Sequence, residues 1–74
     1  MNPNDFAELL DGWTRLRVDK YNDDTGDYDT IFDSDDHPGW CGSITPCVLQ
    51  TIDVNELEVT EIGLENDHIV LKCE

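Results

Sequence analysis

Apolar side chains near the start of the chain recur at the spacing of one helix face. Over residues 2–13 they follow the i, i+3, i+4, i+7 pattern, which predicts an amphipathic helix. Asn2 is placed to cap this helix, Pro3 suits its first position and Gly12 is placed to end it. The predicted buried face consists of Phe6, Leu9, Leu10 and Trp13.

Residues 14–35 change to the two-residue period of a pair of β-strands. The segment Asp24-Thr25-Gly26 supplies a turn with glycine in the left-handed position, which suits a three-residue loop. This loop fixes the register of a hairpin, because a slip by one residue would mix its apolar and polar faces. The predicted pairs are Asp23 with Asp27, Val18 with Phe32, Arg17 with Asp33, Leu16 with Ser34, and Arg15 with Asp35.

A second hairpin is predicted over residues 57–73 with its turn at Asn66-Asp67. This turn pairs apolar with apolar residues and opposite charges with each other. The predicted pairs are Leu64 with Ile69, Ile62 with Leu71, and Glu61 with Lys72. Between the hairpins, residues 36–45 are predicted to form a loop. Residues 46–51, after a Thr45 cap, are predicted to form one or two helical turns.

These elements predict one small α+β domain over residues 1–74. It would contain an N-terminal helix, a short second helix and a four-stranded, largely antiparallel sheet built from the two hairpins. The expected core contains Phe6, Leu9, Leu10, Trp13, Leu16, Val18, Phe32, Val48, Ile62, Leu64, Ile69 and Leu71.

The charge of the chain narrows the classes of partner. Eighteen acidic residues face four basic ones, for a net charge of −14. This charge excludes ordinary binding to nucleic acid or to an anionic membrane, and favours association with a cationic surface. The odd number of cysteines, three, argues against a disulfide framework. With no signal-peptide pattern and no long apolar run, we expect a cytoplasmic protein.

Seven aspartates are concentrated in residues 21–37, a stretch without Lys or Arg. In the predicted register, Asp27, Asp29, Asp33 and Asp35 would share an outward face with Ile31. Alternate residues on a strand lie about 6.6–6.8 Å apart, which is comparable to the phosphate spacing of a nucleic-acid strand. The alternative is a solvated face that serves solubility only. The candidate partner-binding residues are Asp23, Asp24, Asp27, Asp29, Asp33, Asp35, Asp36, Tyr28 and Trp40.

The sequence allows two positions for Trp40. It can be buried in the core, or it can be exposed as an anchor that contacts a partner.

Other chemistry has weaker support in the sequence. A zinc site would have to use His37, Cys41, Cys47, His68 and Cys73, whose spacing lacks a Cys-x2-Cys knuckle. Residues 23–29 offer oxygen ligands for calcium but do not match an EF-hand loop. The two histidines fall at predicted loop and turn positions, where solvated side chains are expected. No nucleophile motif or phosphate-binding glycine loop is present, so we expect a non-enzymatic protein without a cofactor.

The order of elements resembles that of short proteins encoded by bacteriophages and other bacterial mobile elements. The resemblance covers the capped helix, the acidic hairpin, the Gly-Trp-Cys loop, the Thr-Pro turn and the final Glu-Val-Thr-Glu-Ile and His-Ile-Val-Leu strands. Very acidic proteins of that group include anti-CRISPR proteins, anti-restriction proteins and uracil-DNA glycosylase inhibitors, and many of them mimic nucleic acid.

The resemblance implies a protein inhibitor that acts in the host cytoplasm. It would block the cationic groove of a CRISPR effector, a restriction enzyme or a DNA-processing enzyme. Two alternatives stay open. One is an adaptor that uses Ile31 and Trp40 as its contact, and the other is a metal-binding domain.

Overall fold

The computed structural model describes residues 1–10, 14–40, 43–49 and 51–74. These form one short helix, α1 (Pro3–Ala7), and four strands. The strands are β1 (Leu16–Asn22), β2 (Asp27–Asp33), β3 (Val59–Glu65) and β4 (His68–Cys73). Three 3₁₀ turns, at Ser34–Asp36, Thr45–Cys47 and Val54–Glu56, lie in the connection from β2 to β3. The predicted α+β class is confirmed.

The four strands form one mixed sheet in the order β2-β1-β4-β3. Each hairpin is antiparallel, but the two hairpins meet through a parallel pairing of β1 with β4. The expectation of a largely antiparallel sheet is therefore wrong at its centre. The long connection from β2 to β3 contributes Trp40, Ile44 and Val54 to the core that packs on one face of the sheet. We call this face the covered face and the opposite one the open face.

The first hairpin keeps the predicted register at one end and loses it at the other. Val18 lies opposite Phe32 and Arg17 opposite Asp33, as predicted, but Asp19 lies opposite Thr30. Ile31 is thus an extra residue in β2, a β-bulge that shifts the pairing of everything toward the turn. The pairing ends at Asn22 and Asp27, so the loop has four residues, 23–26, instead of three.

The second hairpin has all three predicted pairs. Leu64 lies opposite Ile69, Ile62 opposite Leu71 and Glu61 opposite Lys72. The turn residues Asn66 and Asp67 have φ values of 51° and 65°, the left-handed conformation that a two-residue hairpin loop of this type requires.

The predicted helix over residues 2–13 is only five residues long in the structure. The Asn2 side chain accepts the Asp5 backbone N–H, and the Asp5 side chain accepts the Asn2 N–H, so the predicted cap is present as a capping box. After Ala7 the chain tightens into turns, with the Leu9 and Leu10 N–H groups bonded three residues back. The predicted end at Gly12 and the buried Trp13 lie outside the described residues.

The helix is also rotated from its predicted orientation. Its buried residues are Pro3, Asn4 and Ala7, whereas Leu9, beyond its end, is 75% exposed. Phe6 and Leu10 are half-buried at the edge of the core. The reason is the polar Asn4 side chain, which turns inward to bond the connection between the hairpins.

The predicted helical turns over residues 46–51 are shorter than expected. The structure has a three-residue 3₁₀ turn, Thr45–Cys47, whose N-cap residue is Ile44, without a side-chain hydrogen bond. The cap predicted at Thr45 is therefore wrong by one residue, and the Thr45 hydroxyl instead accepts a hydrogen bond from Asn4.

Two strand residues predicted for the core are exposed. Ile62 and Leu64 lie on the covered face of β3, yet 54% and 81% of their surfaces are accessible. The core lies over β1, β4 and the adjoining end of β2, and it does not reach across the edge strand β3. The fully or largely buried apolar residues are Ala7, Leu16, Val18, Phe32, Trp40, Ile44, Val54, Leu57, Val70, Leu71 and Cys73.

Candidate functional site

The bulge at Ile31 divides the acidic residues of the first hairpin between the two faces of the sheet. Residues that pair directly across antiparallel strands have side chains on the same face. Asp29 pairs with Lys20 on the covered face, whereas Asp33 pairs with Arg17 on the open face. The predicted outward row of Asp27, Asp29, Asp33 and Asp35 is therefore wrong as a single array.

The end of the hairpin carries four exposed carboxylates, which we call the acidic tip: Asp23, Asp24, Asp27 and Asp29. Asn22 organises this turn. Its Oδ1 accepts the Asp24 N–H at 2.9 Å, its carbonyl accepts the Gly26 N–H at 2.8 Å, and its Nδ2 donates to Asp29 at 2.9 Å. Gly26 has a φ of 74°, where a residue with a Cβ atom would be strained. Within the described residues, the acidic tip has no Lys or Arg at ion-pair distance.

A groove lies beside the acidic tip on the covered face. It is an open cavity of about 810 Å³ between the distal half of the hairpin and residues 47–49 and 52. Its apolar lining comes from Ile31, Cys47, Val48, Leu49 and Ile52, and its acidic lining from Asp23, Asp24 and Asp29. Lys20, which lies opposite Asp29, also lines the groove without an ion pair to the tip within the described residues. Leu49 is 71% exposed, so the groove presents apolar surface next to a net negative charge.

The open face of the sheet pairs its charges internally. Arg17 Nη2 lies 3.1 Å from Asp19 and 3.2 Å from Glu65, and the Thr30 hydroxyl donates to Asp19 at 2.8 Å. Burial lowers the pKa of Arg17, but hydrogen bonds to Asp19 and Glu65 outweigh it and the pKa is raised. Asp19 is buried only because this network satisfies its carboxylate.

Lys72 also has charged and aromatic neighbours on the open face. Its Nζ lies 3.7 Å from Glu61 and 5.2 Å from the centre of the Tyr28 ring, a cation–π contact. Tyr28 also meets Tyr21 edge to face, with ring centres 5.4 Å apart. Tyr28 is 38% exposed, so part of its ring is accessible beside the acidic tip.

A third group of charges lies where β2 ends. Arg15 donates to both carboxylate oxygens of Asp35, at 3.2 and 2.7 Å, and this hydrogen bonding lowers the pKa of Asp35. His68 Nε2 lies 3.3 Å from Asp33 and 3.2 Å from Asp35. His68 is 7% exposed, so the expectation that it is solvated is wrong. The structure therefore separates Asp33 and Asp35, which have charged partners, from the acidic tip, which has no Lys or Arg at ion-pair distance in the part of the chain that the structure describes.

Two other candidate residues differ in their availability. Trp40 is 6% exposed and packs edge-on against Phe32, so the exposed anchor considered for it is wrong. The reason is that the connection between the hairpins folds over the covered face and carries Trp40 into the core. Asp36 is exposed in the first 3₁₀ turn, and His37 stacks on Phe32 with ring centres 5.5 Å apart.

The ligand set considered for zinc is not brought together. Cys73 is fully buried on the covered face, whereas His68 pairs with Glu65 on the open face at the other end of β4. Cys41 lies outside the described residues. Within the described parts of the chain, three potential ligand atoms approach one another only at Asp33, Asp35 and His68, and not in the loop considered for calcium.

The sequence did not indicate the role of Asn4, and it offered His68 only as a ligand beside cysteines, not as a buried neighbour of Asp33 and Asp35. An asparagine in the first turn of a helix reads as a solvated residue, and a histidine after an Asn-Asp turn reads the same way. The spacing of His68 from Asp33 along the chain carries no signal, because they meet only through the parallel pairing of β1 and β4.

Comparisons of the chain with protein-family models, with curated proteins and with solved structures found no match. In the described ranges, the structure has no helix that is long and apolar enough to cross a membrane.

Proposed function

We propose that this protein is a non-enzymatic inhibitor that binds the cationic surface of a nucleic-acid-binding protein. The target class is a CRISPR effector, a restriction enzyme or a DNA-processing enzyme of a bacterial host. The observation that supports this proposal best is the acidic tip, whose four carboxylates have no Lys or Arg at ion-pair distance among the described residues.

The four Lys and Arg residues of the chain have contacts other than the tip carboxylates. Arg15, Arg17 and Lys72 are each paired with a carboxylate on the open face, and Lys20 Nζ donates to the Tyr21 carbonyl at 3.3 Å. The chain has no further Lys or Arg. The negative charge of the tip is therefore available to an external cation, and its repulsion is relieved when a basic partner binds.

The groove gives the contact an apolar component. A Lys or Arg side chain on the partner can lay its aliphatic stem along Ile31, Val48 and Leu49 while its charged end reaches the tip carboxylates. Desolvated contacts of this type contribute affinity that surface charge alone does not. The proposed mimicry is consequently one of charge and position, centred on the hairpin end, and not a regular row of phosphate-like groups.

The net charge of −14 predicts fast association that weakens as salt rises. The experiment measures how strongly the protein inhibits DNA binding by purified members of the three target classes over a range of ionic strength. An inhibitor identified in this way is then compared with a variant that carries Asp23→Asn, Asp24→Asn and Asp27→Asn.

A matched control removes the same charge elsewhere. Glu8, Glu56 and Glu74 are exposed and have no side-chain ion pair within the described structure, so Glu8→Gln, Glu56→Gln and Glu74→Gln change the net charge equally. We expect the tip variant to lose at least about tenfold in affinity, corresponding to about 1.4 kcal/mol. The control variant should lose much less. Equal losses in both variants would show that the tip contributes only through the net charge of the protein, and not as a specific binding site. Salt-independent binding would favour an adaptor with an apolar contact.

A further inference from the structure

Three potential metal ligands from separate elements meet at one end of the open face. Asp33 ends β2, Asp35 lies in the first 3₁₀ turn and His68 begins β4. One ligand atom from each lies within 4.8 Å of the others. The His68 side chain is only 9% exposed, so its ring is held in place and its Nε2 atom faces the two carboxylates.

The other ring nitrogen defines the state of the imidazole. His68 Nδ1 lies 3.0 Å from the carbonyl oxygen of Asn66. A carbonyl only accepts hydrogen bonds, so Nδ1 carries the proton and donates it. In the neutral ring, Nε2 then presents its lone pair to the carboxylates. This arrangement, with Nδ1–H bonded to a backbone carbonyl, is the usual support of a histidine that binds metal through Nε2.

The two carboxylate oxygens already accept hydrogen bonds, Asp33 Oδ1 from the Asp35 N–H at 3.0 Å and Asp35 Oδ2 from Arg15 Nη2 at 2.7 Å. His68 Nε2 is the member of the group that still needs a proton or a cation beside it. A proton on Nε2 would serve only if it pointed at an oxygen, yet within the described structure the buried Nε2 atom has no partner with hydrogen-bond geometry. The carboxylate oxygens flank it at 3.2 and 3.3 Å. Ligand atoms around a tetrahedral zinc ion, with bonds of about 2.0–2.2 Å, are separated by about 3.3–3.5 Å. The distances fit a shared metal ion, and the lack of hydrogen-bond geometry at Nε2 argues against a shared proton.

We propose that Asp33, Asp35 and His68 form a binding site for a divalent transition metal, with zinc as the representative ion. His68 Nε2, Asp33 Oδ1 and Asp35 Oδ2 supply three ligands, and water supplies the fourth. The ion enters from the solvent side, since the Asp33 and Asp35 side chains are 28% and 48% exposed. Arg15 orients Asp35 through two hydrogen bonds, and the one from Nη2 shares the Oδ2 atom with the proposed ion. This site is independent of the proposed function and of the cysteines.

The first test uses the full chain, freed of metal with a chelator and titrated with zinc by calorimetry. We expect one equivalent to bind. Since a ligand that binds only the folded state stabilises it, Tm should rise by about 10 °C or more at a zinc concentration a hundredfold above Kd. Cobalt titration should show a tetrahedral spectrum without a thiolate charge-transfer band, because the ligands are nitrogen and oxygen.

Variants locate the site. His68→Gln and Asp33→Asn should each weaken zinc binding by at least about tenfold. His37→Gln and Asp36→Asn change neighbouring residues outside the cluster and should bind as the wild type does. The double variant Cys41→Ser, Cys47→Ser should also retain binding, which separates this site from a thiolate site.

A measurement on the unaltered chain covers the case in which the His68 variant fails to fold. In ¹⁵N NMR of the imidazole, zinc should shift the Nε2 resonance of His68 while Nδ1 keeps its proton. The proposal is overturned if saturating zinc leaves Nε2 unshifted, if the cysteine variant loses the binding, or if zinc does not bind. A protonated Nε2 in metal-free and zinc-treated protein alike would show that an imidazolium ion holds the cluster together instead.

Discussion

At the scale of single residues, Asn4 holds the connection between the hairpins against the helix. Its Oδ1 accepts the Ile44 backbone N–H at 3.0 Å, and its Nδ2 donates to Asn55 at 3.2 Å and to the Thr45 hydroxyl. Asn4 and Ile44 are both buried, so water cannot replace these bonds. One polar side chain therefore positions a segment that supplies several core residues.

We expect Asn4→Ala to lower the free energy of unfolding by about 1–3 kcal/mol, because the buried Ile44 N–H loses its acceptor. Urea denaturation monitored by tryptophan fluorescence measures the change. Asn55→Ala is the control, since it removes one of the same hydrogen bonds from an exposed position and should cost less. Equal destabilisation by both variants would contradict the role given to the Ile44 contact.

Cys73 predicts how stability depends on alkaline pH. Burial and, to a lesser degree, the charge of Asp19 raise the pKa of its thiol from 9.0 to about 11. The folded state then holds this proton more tightly than the unfolded state does. Its free energy of unfolding should fall as the pH rises from about 9 to about 11.

Thermal unfolding between pH 8 and pH 11 measures this effect. Cys73→Val removes the titrating thiol, so its Tm should decline less steeply over that range than the Tm of the wild type. The two proteins share every other side chain, so the contributions of those side chains cancel in the comparison. Parallel declines would show that Cys73 does not contribute.

At the scale of elements, alternation and turn residues predicted local pairings but not their assembly. The three pairs nearest the turn of the second hairpin could be predicted, because Asn66-Asp67 allows one loop length and the flanking residues match in polarity. The irregularity between Val59 and Glu61 had no such signal. The register of the first hairpin was predicted only up to the bulge, because no glycine or proline beside Ile31 marks an extra residue there. The parallel contact between β1 and β4 had no local signal, so the cluster of Asp33, Asp35 and His68 could not be foreseen.

The edge strand β3 shows that an apolar pattern does not by itself place a residue in the core. Ile62 and Leu64 face the covered side but remain exposed, whereas their neighbour Leu71 on β4 is fully buried. We expect Ile62→Thr and Leu64→Thr to change the free energy of unfolding by no more than about 0.5 kcal/mol each. Leu71→Ala should cost about 2–5 kcal/mol.

Chemical denaturation of the three variants measures these differences. A large loss for Leu64→Thr would mean that β3 is covered in solution, for example by a second copy of the chain. Size-exclusion chromatography of the same variants would then detect a dimer. The loss of stability would also depend on protein concentration.

At the scale of the whole molecule, negative charge is distributed unevenly. On the open face Arg15, Arg17 and Lys72 form ion pairs with several acids, while the four carboxylates of the acidic tip have no Lys or Arg at ion-pair distance among the described residues. Repulsion between these groups opposes folding, and salt screens it. The fold therefore bears a local electrostatic cost at the place that we propose binds a partner.

The Asp23→Asn, Asp24→Asn, Asp27→Asn variant should consequently be more stable than the wild type in dilute buffer. We expect a gain of up to about 1 kcal/mol, or about 4–8 °C in Tm for a domain of this size. The Glu8→Gln, Glu56→Gln, Glu74→Gln variant should gain less. The difference should shrink at high salt. A tip variant less stable than the control would show that its carboxylates support the turn.

The parallel pairing of β1 with β4 also has a kinetic consequence. Each hairpin closes across a short loop, but Leu16 meets Ile69, which lies 53 positions later in the chain. Closing that distance costs more chain entropy than closing either hairpin, and such long-range contacts slow folding. The two hairpins can therefore form early as separate units, and their docking along β1 and β4 is expected to set the folding rate. Lengthening or shortening the segment between the hairpins should then change the folding rate of the whole domain. It should leave the rate at which each hairpin forms nearly unchanged.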